Sequence, residues 1–187
     1  MSGRAACDVL PATSDSWVDV EQLFGRAGAS NGCWCQYWLL GPGYHRRDRS
    51  ENQLDLARQV QQDRAGLLAY REGSPVGWAR FTPRSELGWL TSRFPGYDFG
   101  VDDPWVLSCF FVARSARGTG VMSALVNRAA QWAGDRGATV EAYPIDPSVE
   151  GATRNSFPGV RSTFLRAGFT EHGRLAKDRV VVRRAPQ

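Results

Sequence analysis

The pattern of apolar and polar positions predicts alternating short strands and helices from the start of the chain. Residues 7–13 (CDVLPAT) predict a first strand, and residues 14–26 carry apolar side chains at helical spacing behind Ser and Asp, which favour helix N-termini. The stretch SENQ, residues 50–53, fits a capping box and predicts a second helix that continues to about Arg64. The apolar stripe of that helix is predicted to consist of Leu54, Ala57 and Val60.

The middle of the chain predicts a β-hairpin followed by a buried strand. Two apolar runs, GLLAYR and PVGWARF, are joined at Glu72, Gly73 and Ser74, which is typical of a hairpin. Residues 85–104 then predict a long connection rich in Gly, aromatic residues and Asp, and long ordered loops are uncommon unless they are functional. The run WVLSCFFV, residues 105–112, indicates a strand that is buried on both faces.

The last third of the chain predicts two helices and three strands. A helix with an apolar face is predicted to begin at Gly120 and to end near Gly134 and Gly137. Residues 138–145 (ATVEAYPI) predict a strand, and a loop leads from it to a short helix that stops at Gly168. The segments FTEHGR and RVVVRR predict the last two strands. The strand, helix and strand around Gly120 imply a parallel crossover or a neighbouring pair in a mixed sheet.

Length and composition favour one globular domain. The chain has 187 residues, of which 42% are apolar and 22% charged, and it contains no repeat or low-complexity tract. We expect a single domain over residues 1–187, with a core of about 7–184. The net charge of +4 is carried by arginines scattered among acidic residues, which disfavours a nucleic-acid partner. Because no apolar run of about 18 residues and no secretory leader are present, we expect a cytoplasmic protein without a membrane partner.

Cysteine usage predicts reduced thiols and no metal. The four cysteines are Cys7, Cys33, Cys35 and Cys109. In a cytoplasmic protein we expect all of them to be free thiols. Cys33 and Cys35 form a C-x-C pair, but no second Cys or His pair stands at zinc-finger spacing, since the histidines are His45 and His172. Structural cysteines are therefore favoured over a metal site.

The stretch VARSARGTGVMSAL, residues 112–125, combines glycines and arginines at the start of a predicted helix. The first amides of such a helix are unpaired and lie at the positive end of its dipole. Gly118 and Gly120 let the backbone approach an anion closely, and Arg114 and Arg117 could neutralise it. The turn therefore favours a phosphate site. The alternative is a tight start to the helix with no ligand.

This stretch resembles the pyrophosphate-binding motif of the GNAT-type N-acetyltransferase superfamily, R/Q-x-x-G-x-G/A. Arg117 and Gly120 stand on its first Arg and first Gly, while Met122 replaces its final Gly or Ala. The hairpin LLAYREGSPVGWARF is similar to the second and third strands of that family, and FLRAGFTEHGR is similar to its closing helix and strand. The resemblance covers about residues 7–184. It implies an α/β fold with a mostly antiparallel sheet, a central parallel strand pair splayed for acyl-CoA, and flanking helices.

The resemblance implies an acetyl-CoA-dependent N-acetyltransferase that needs no metal. Such an enzyme transfers an acetyl group to a primary amine of a small molecule or peptide, which attacks the thioester directly, and a homodimer is compatible with it. The predicted cofactor-binding residues are Phe110, Phe111, Val112, Arg117, Gly118, Thr119, Gly120, Val121, Met122 and Ser123. Strand amides at Phe110 and Val112 are expected to be free for the pantetheine arm. The alternative is a degenerate relative that binds acyl-CoA without efficient catalysis.

Amine acetylation needs a base for the amine and a proton source for the thiolate. Glu141 is the favoured base, because an apolar strand exposes a polar residue only at a cleft. Other acidic candidates are Asp98, Asp102 and Asp103. Phe164 stands where the family often has a tyrosine that protonates the thiolate, and Phe157 stands where an asparagine often precedes the helix. Tyr143 is therefore the predicted acid, with Ser162 and solvent as alternatives.

The acceptor site is predicted to be aromatic and to attract a cationic amine. The candidate lining residues are Trp34, Tyr37, Trp38, Trp89, Phe94, Tyr97 and Phe99. Aspartates of the long connection would attract the amine. The alternative is that most of these aromatic side chains pack in the core.

Overall fold

The computed structural model describes residues 7–63, 65–100 and 102–186, and a seven-stranded sheet runs through their centre. The strands are β1 (Asp8–Pro11), β2 (Gly66–Arg71), β3 (Ser74–Pro83), β4 (Trp105–Val112), β5 (Val140–Ala142), β6 (Thr170–Ala176) and β7 (Arg179–Arg184). Their spatial order is β1-β2-β3-β4-β5-β7-β6. Only β4 and β5 pair in parallel, so the predicted mixed sheet with a central parallel pair is confirmed.

Among the described residues, six α-helices cover the sheet on both faces. They are α1 (Trp17–Phe24), α2 (Tyr37–Leu40), α3 (Arg49–Gln61), α4 (Gly88–Arg93), α5 (Val121–Gly134) and α6 (Arg161–Arg166). Side chains of β2 alternate between the faces, as the period of a strand requires. Leu67 and Ala69 pack with α5, whereas Leu68 between them packs with α1 and α3. No helix of the described residues is long and apolar enough to cross a membrane.

The hairpin between β2 and β3 is confirmed, with Glu72 and Gly73 at φ 50° and 73°. Two positive φ angles in a two-residue turn match the twist of the flanking strands. The prediction of a long loop over residues 85–104 is wrong in part, because this segment contains α4. Leu90 of α4 is fully buried against Trp38 and other apolar residues, so tertiary packing stabilises a helix too short to form alone.

The predicted start of α3 is wrong, and its predicted apolar stripe is confirmed at Val60 but wrong at Leu54. The capping box is formed by Asp48 and Glu51, so the helix begins before the SENQ stretch. Its buried side chains are Asn52, Leu56 and Val60. Leu54 is 55% exposed, because with about 3.6 residues per turn it lies on the opposite side of the helix from Asn52 and Leu56. The predicted end at Arg64 lies outside the described residues.

Strands β4 and β5 diverge beyond a short paired region. Their pairing ends at Leu107 and Ala142, whereas β4 continues to Val112 after a bulge. This divergence agrees with the predicted separation of the central parallel strands. However, not all of the β4 amides that were expected to be free lack a partner. The Phe110 N–H donates to the Phe157 carbonyl at 2.6 Å, so the loop before α6 occupies part of the gap.

Candidate functional site

A tight turn connects β4 to α5 and depends on two glycines. Gly118 and Gly120 have φ of 72° and 92°, and Gly120 is the N-cap of α5. These angles lie in the left-handed region, where glycine is favoured. A Cβ built on Gly118 would meet no atom within 4 Å. The glycine there therefore serves the backbone path and leaves open space in front of the turn.

A cleft of about 860 Å³ lies in front of this turn and is called the turn cleft. Every predicted cofactor-binding residue except Thr119 lines it: Phe110, Phe111, Val112, Arg117, Gly118, Gly120, Val121, Met122 and Ser123. The Thr119 hydroxyl is engaged elsewhere, donating to the Ala116 carbonyl at 2.6 Å and accepting from Arg71 Nη1 at 2.9 Å. Thr119 thus anchors the turn to β2.

The turn cleft is electropositive. Arg117, Arg154 and Arg166 line it, and no Asp or Glu is among its described lining residues. The unpaired amides in the first turn of α5 add partial positive charge at the same place. Arg117 is oriented by a hydrogen bond from its Nε to the Val112 carbonyl. Arg114, which the sequence also suggested, does not line the cleft. This arrangement suits an anionic group such as a diphosphate.

A second cleft, of about 420 Å³, lies where α2, α4 and β4 meet and is called the aromatic cleft. Three of the predicted acceptor-site aromatics line it, namely Tyr37, Trp38 and Phe94. The others do not line it: Trp34, Trp89, Tyr97 and Phe99. Trp34 and Phe99 are instead part of the buried core. Of the seven aromatic residues, some therefore line a cleft and others pack in the core, so each of the two alternatives from the sequence holds for part of them.

The loop before α6 separates the two clefts. Asn155 and Phe157 line both of them. The Asn155 side chain accepts a hydrogen bond from the Phe157 amide at 3.0 Å, and the Phe157 carbonyl accepts one from Phe110. A ligand in the turn cleft and a ligand in the aromatic cleft would meet at this loop, beside the diverging end of β4.

The acidic residues predicted to attract a cation lie away from the aromatic cleft. Asp98 accepts from the Gly100 amide, and Asp103 accepts from the amide and hydroxyl of Ser85. The carbonyl of Asp102 accepts from Arg84. None of the three aspartates is among the lining residues.

Glu141 and Tyr143 form a buried network outside both clefts. Glu141 is 0% exposed and Tyr143 is 1% exposed. The Glu141 carboxylate accepts from Arg84 Nη1 at 3.2 Å, from Arg183 Nε at 2.5 Å and from the Tyr143 hydroxyl. Burial and the negative charge of Glu141 raise the pKa of Tyr143. The geometry thus places the two side chains on one face, as expected, but gives neither of them contact with a cleft.

Phe164, at the position of the family's usual tyrosine, is a core residue. It is 0% exposed and packs edge-on against Phe110 and Phe169 at centroid distances of 6.0 and 5.3 Å. Ser162, the weaker alternative acid, is exposed and lines neither cleft.

The sequence analysis missed a buried arginine beside two thiols. Arg80 is 0% exposed, and its Nη2 donates to Gln59 Oε1 at 2.7 Å, while its Nε and Nη1 have no hydrogen-bond partner among the described residues. Cys35 and Cys109, whose Sγ atoms are 3.6 Å apart, line the aromatic cleft nearby. The hydrogen bond from Cys109 and the charge of Arg80 lower the pKa of Cys35. The sequence feature that could have indicated this site is Arg80 itself, a charged residue inside the apolar run of β3.

A mixed sheet whose two parallel strands diverge beside a glycine turn is typical of acyltransferases that use acyl-CoA. The chain belongs to the GNAT acetyltransferase family, whose model matches residues 33–154, more than half of its length. The resemblance stated from the sequence is thereby confirmed. No curated protein matches the chain significantly.

Solved structures share the fold over nearly the whole chain. A histone acetyltransferase HPA2 and related acetyltransferase from Corynebacterium glutamicum is 23% identical, with a TM-score of 0.61 and 97% of each chain covered. A GNAT-family acetyltransferase from Listeria monocytogenes is 14% identical, with a TM-score of 0.60 and coverage of 99% of this chain and 98% of the other. The PaiA N-acetyltransferase from Thermoplasma acidophilum, solved with coenzyme A, is 10% identical, with a TM-score of 0.55 and coverage of 96% and 99%.

Proposed function

We propose that this chain is an acetyl-CoA-dependent N-acetyltransferase that acts on a primary amine of a small molecule or peptide. The observation that carries the proposal is the turn cleft, where the N-terminus of α5 and three arginines converge with no acidic residue among the described lining. The diphosphate of the cofactor would bind the amides of residues 121–123 and the guanidinium of Arg117. Family membership and the coenzyme A complex of the Thermoplasma neighbour support this proposal.

In the proposed reaction the amine nitrogen attacks the thioester carbonyl carbon directly. A C–N bond forms, the C–S bond breaks, the amine loses one proton and the thiolate of CoA gains one. The two clefts meet at Asn155 and Phe157, which is where the acetyl group and the amine would react. A thioester that uses the Phe110 N–H to polarise its carbonyl must replace the Phe157 carbonyl, which accepts that bond in the structure.

We propose that water takes the proton of the amine, and that the thiolate is protonated by water or by one of the hydroxyl and thiol groups that line the aromatic cleft, such as Tyr37 and Cys35. Among the described residues lining the aromatic cleft there is no Asp, Glu or His. Glu141 is neutralised by Arg84 and Arg183, so protonating it would leave two buried or half-buried cations without their anion. We assign Glu141 and Tyr143 a supporting role, in which their network connects β5 and β7 to the residue that follows β3.

A second function, acyl-CoA binding without efficient transfer, is favoured by two observations. The Phe157 carbonyl occupies the Phe110 amide, and Phe164 fills the place of a proton-donating side chain with a core phenyl ring. A protein of this kind would bind acetyl-CoA in the turn cleft and would release no CoA in the presence of amines.

Isothermal titration of acetyl-CoA into the Gly118→Asp and Gly118→Asn variants tests the cofactor site. Asp and Asn have the same size and both tolerate the φ of 72° at this position, so the pair differs in one negative charge. We expect the Asp variant to bind acetyl-CoA at least roughly tenfold more weakly than the Asn variant, because its carboxylate repels the diphosphate. Equal affinities would contradict the assignment. Measuring CoA release over a panel of amines then separates the transferase from the binder.

A further inference from the structure

The aromatic cleft has a positive charge that the proposed acetylation of an amine does not explain. Arg93 and Arg179 both line it, and its described lining contains no carboxylate. An acceptor site for a plain cationic amine would be expected to carry the opposite charge, because an arginine repels an ammonium group. The charge of this cleft therefore carries information about the acceptor.

Arg179 lies at the start of β7 with an unused donor. Its Nη1 donates weakly to the Tyr143 carbonyl at 3.4 Å, while its Nε is buried and has no hydrogen-bond partner among the described residues. Asp178 precedes it, but the Asp178 carboxylate accepts from the Thr153 amide at 2.8 Å. A buried guanidinium with so few hydrogen-bond partners is costly for the fold, so an anion bound in the cleft that Arg179 lines would be favoured.

Arg93 lies at the end of α4 and approaches the same space from the other side. Its guanidinium stacks over the Phe94 ring at 5.1 Å, which holds the planar group at the wall of the cleft. Burial lowers the pKa of Arg179, the nearby charges of Asp178 and Tyr37 oppose that shift, and the charge of Arg93 makes the smallest contribution, in the lowering direction. Arg93 and Arg179 line the same cleft, so an anion bound there would interact favourably with both.

We infer that the acceptor is a small-molecule amine that also carries an anionic group, a carboxylate or a phosphate, bound by Arg93 and Arg179. This inference rests on the proposed function. Arginine forks bind carboxylate and phosphate oxygens in the same bidentate manner, so the shared chemistry is a compact oxyanion. The amine end of the molecule would lie toward Ser108 and Cys109 on β4, which line the same cleft beside the divergence of the strands. A cleft of about 420 Å³ suits a molecule of this size.

Matched acceptor pairs test the inference. L-alanine is compared with L-alaninamide, and O-phosphoethanolamine with ethanolamine, so that each pair differs in its anionic group and the two pairs distinguish carboxylate from phosphate. We expect the anionic member of at least one pair to have a kcat/KM at least roughly tenfold higher. The same compounds titrated by calorimetry into the CoA-bound protein give the preference without requiring turnover.

Variants locate the effect. Arg93 is exposed, so Arg93→Gln should fold normally. We expect Arg93→Gln and Arg179→Gln, each as a single variant, to raise the KM of the anionic acceptor about tenfold and to leave the affinity for acetyl-CoA unchanged. Arg58→Gln, at an exposed arginine of α3, is the matched control and should change neither.

The outcomes distinguish the two proposals. Failure of the wild-type protein to bind acetyl-CoA would overturn the proposed function. Binding of acetyl-CoA combined with equal affinity for both members of each pair, or with a preference for the uncharged member, would overturn the inference alone. Loss of acetyl-CoA affinity in Arg93→Gln or Arg179→Gln would also overturn it, because the two arginines would then serve the cofactor.

Discussion

At the scale of single residues, burial separates side chains that a sequence pattern treats alike. Glu141 and Arg80 are both polar residues within apolar strands, and both are fully buried. Glu141 has two arginine partners and a tyrosine donor, whereas Arg80 has one hydrogen bond, to a neutral glutamine. A buried charge is costly unless it is paired, and among the described residues Arg80 lacks the charged partners that Glu141 has.

Replacing Tyr143 with phenylalanine tests whether its hydroxyl takes part in the reaction. The hydroxyl is buried, donates to Glu141 and lines no cleft, so we expect Tyr143→Phe to keep kcat within about twofold of wild type while lowering stability by about 1 kcal/mol for the lost hydrogen bond. Steady-state kinetics with an identified acceptor and urea unfolding measure the two effects. A fall in kcat of about 100-fold with unchanged affinity for acetyl-CoA would identify Tyr143 as the proton donor instead.

At the scale of elements, the Asp146 carboxylate is one of the groups that tie the loop after β5 to the sheet. Asp146 accepts from the Ser148 hydroxyl at 2.6 Å and from Arg174 Nη2 on β6 at 2.8 Å. These hydrogen bonds, the Ser148 bond first, lower the pKa of Asp146 to about 2. The loop that separates the two clefts begins at this point, so its position depends on the charge of Asp146.

The pH dependence of unfolding tests this connection. Because the folded-state pKa of Asp146 lies below its unfolded-state value, its contribution to stability is complete at neutral pH and is lost as the pH falls through about 2. We expect Asp146→Asn to lower the free energy of unfolding by about 1–2 kcal/mol at pH 7, and the difference from wild type to shrink between about pH 5 and pH 2. Urea unfolding at several pH values measures it, with the exposed Asp135→Asn as control. A difference that does not depend on pH would contradict the role of the charge.

At the scale of the whole molecule, one sheet joins the cores on its two faces. Ala79 and Phe81 of β3 pack with α5, while Trp78 of the same strand packs with α1 and α3. Loss of β3 would expose both cores at once, so neither face should unfold alone. The expected single domain therefore has a physical basis in this strand.

Differential scanning calorimetry tests the single domain and the ligand together. We expect one thermal transition with equal calorimetric and van't Hoff enthalpies. Acetyl-CoA at about 100 times its Kd should stabilise the protein by about 2.7 kcal/mol and shift the whole transition upward. Two separable transitions, or a shift of only part of the heat absorption, would show that the chain folds as more than one unit.

Most elements and the glycine turn could be predicted from the sequence, because they depend on interactions between near neighbours in the chain. The hairpin at Glu72 and Gly73 and the start of α5 at Gly120 follow from the positive φ that such turns require. The family resemblance, together with the glycine turn, identified the lining residues that lie along β4, the turn and α5, but not those of the loop before α6 and of α6, such as Asn155 and Arg166. The exact start of α3 was missed because Asp48 with Glu51 and Ser50 with Gln53 both fit a capping box, and the structure forms the first of them.

Only the tertiary structure decided which polar residues are buried and which charges converge. Glu141 meets Arg84 and Arg183 across three separate segments, so no spacing in the sequence indicates that its carboxylate is neutralised. Arg93 and Arg179 come together from α4 and β7, and their convergence reverses the charge expected for the acceptor site. The physical reason is that side-chain periodicity determines which face of an element is apolar, whereas the partner of a charge depends on distances between elements that the chain alone does not specify.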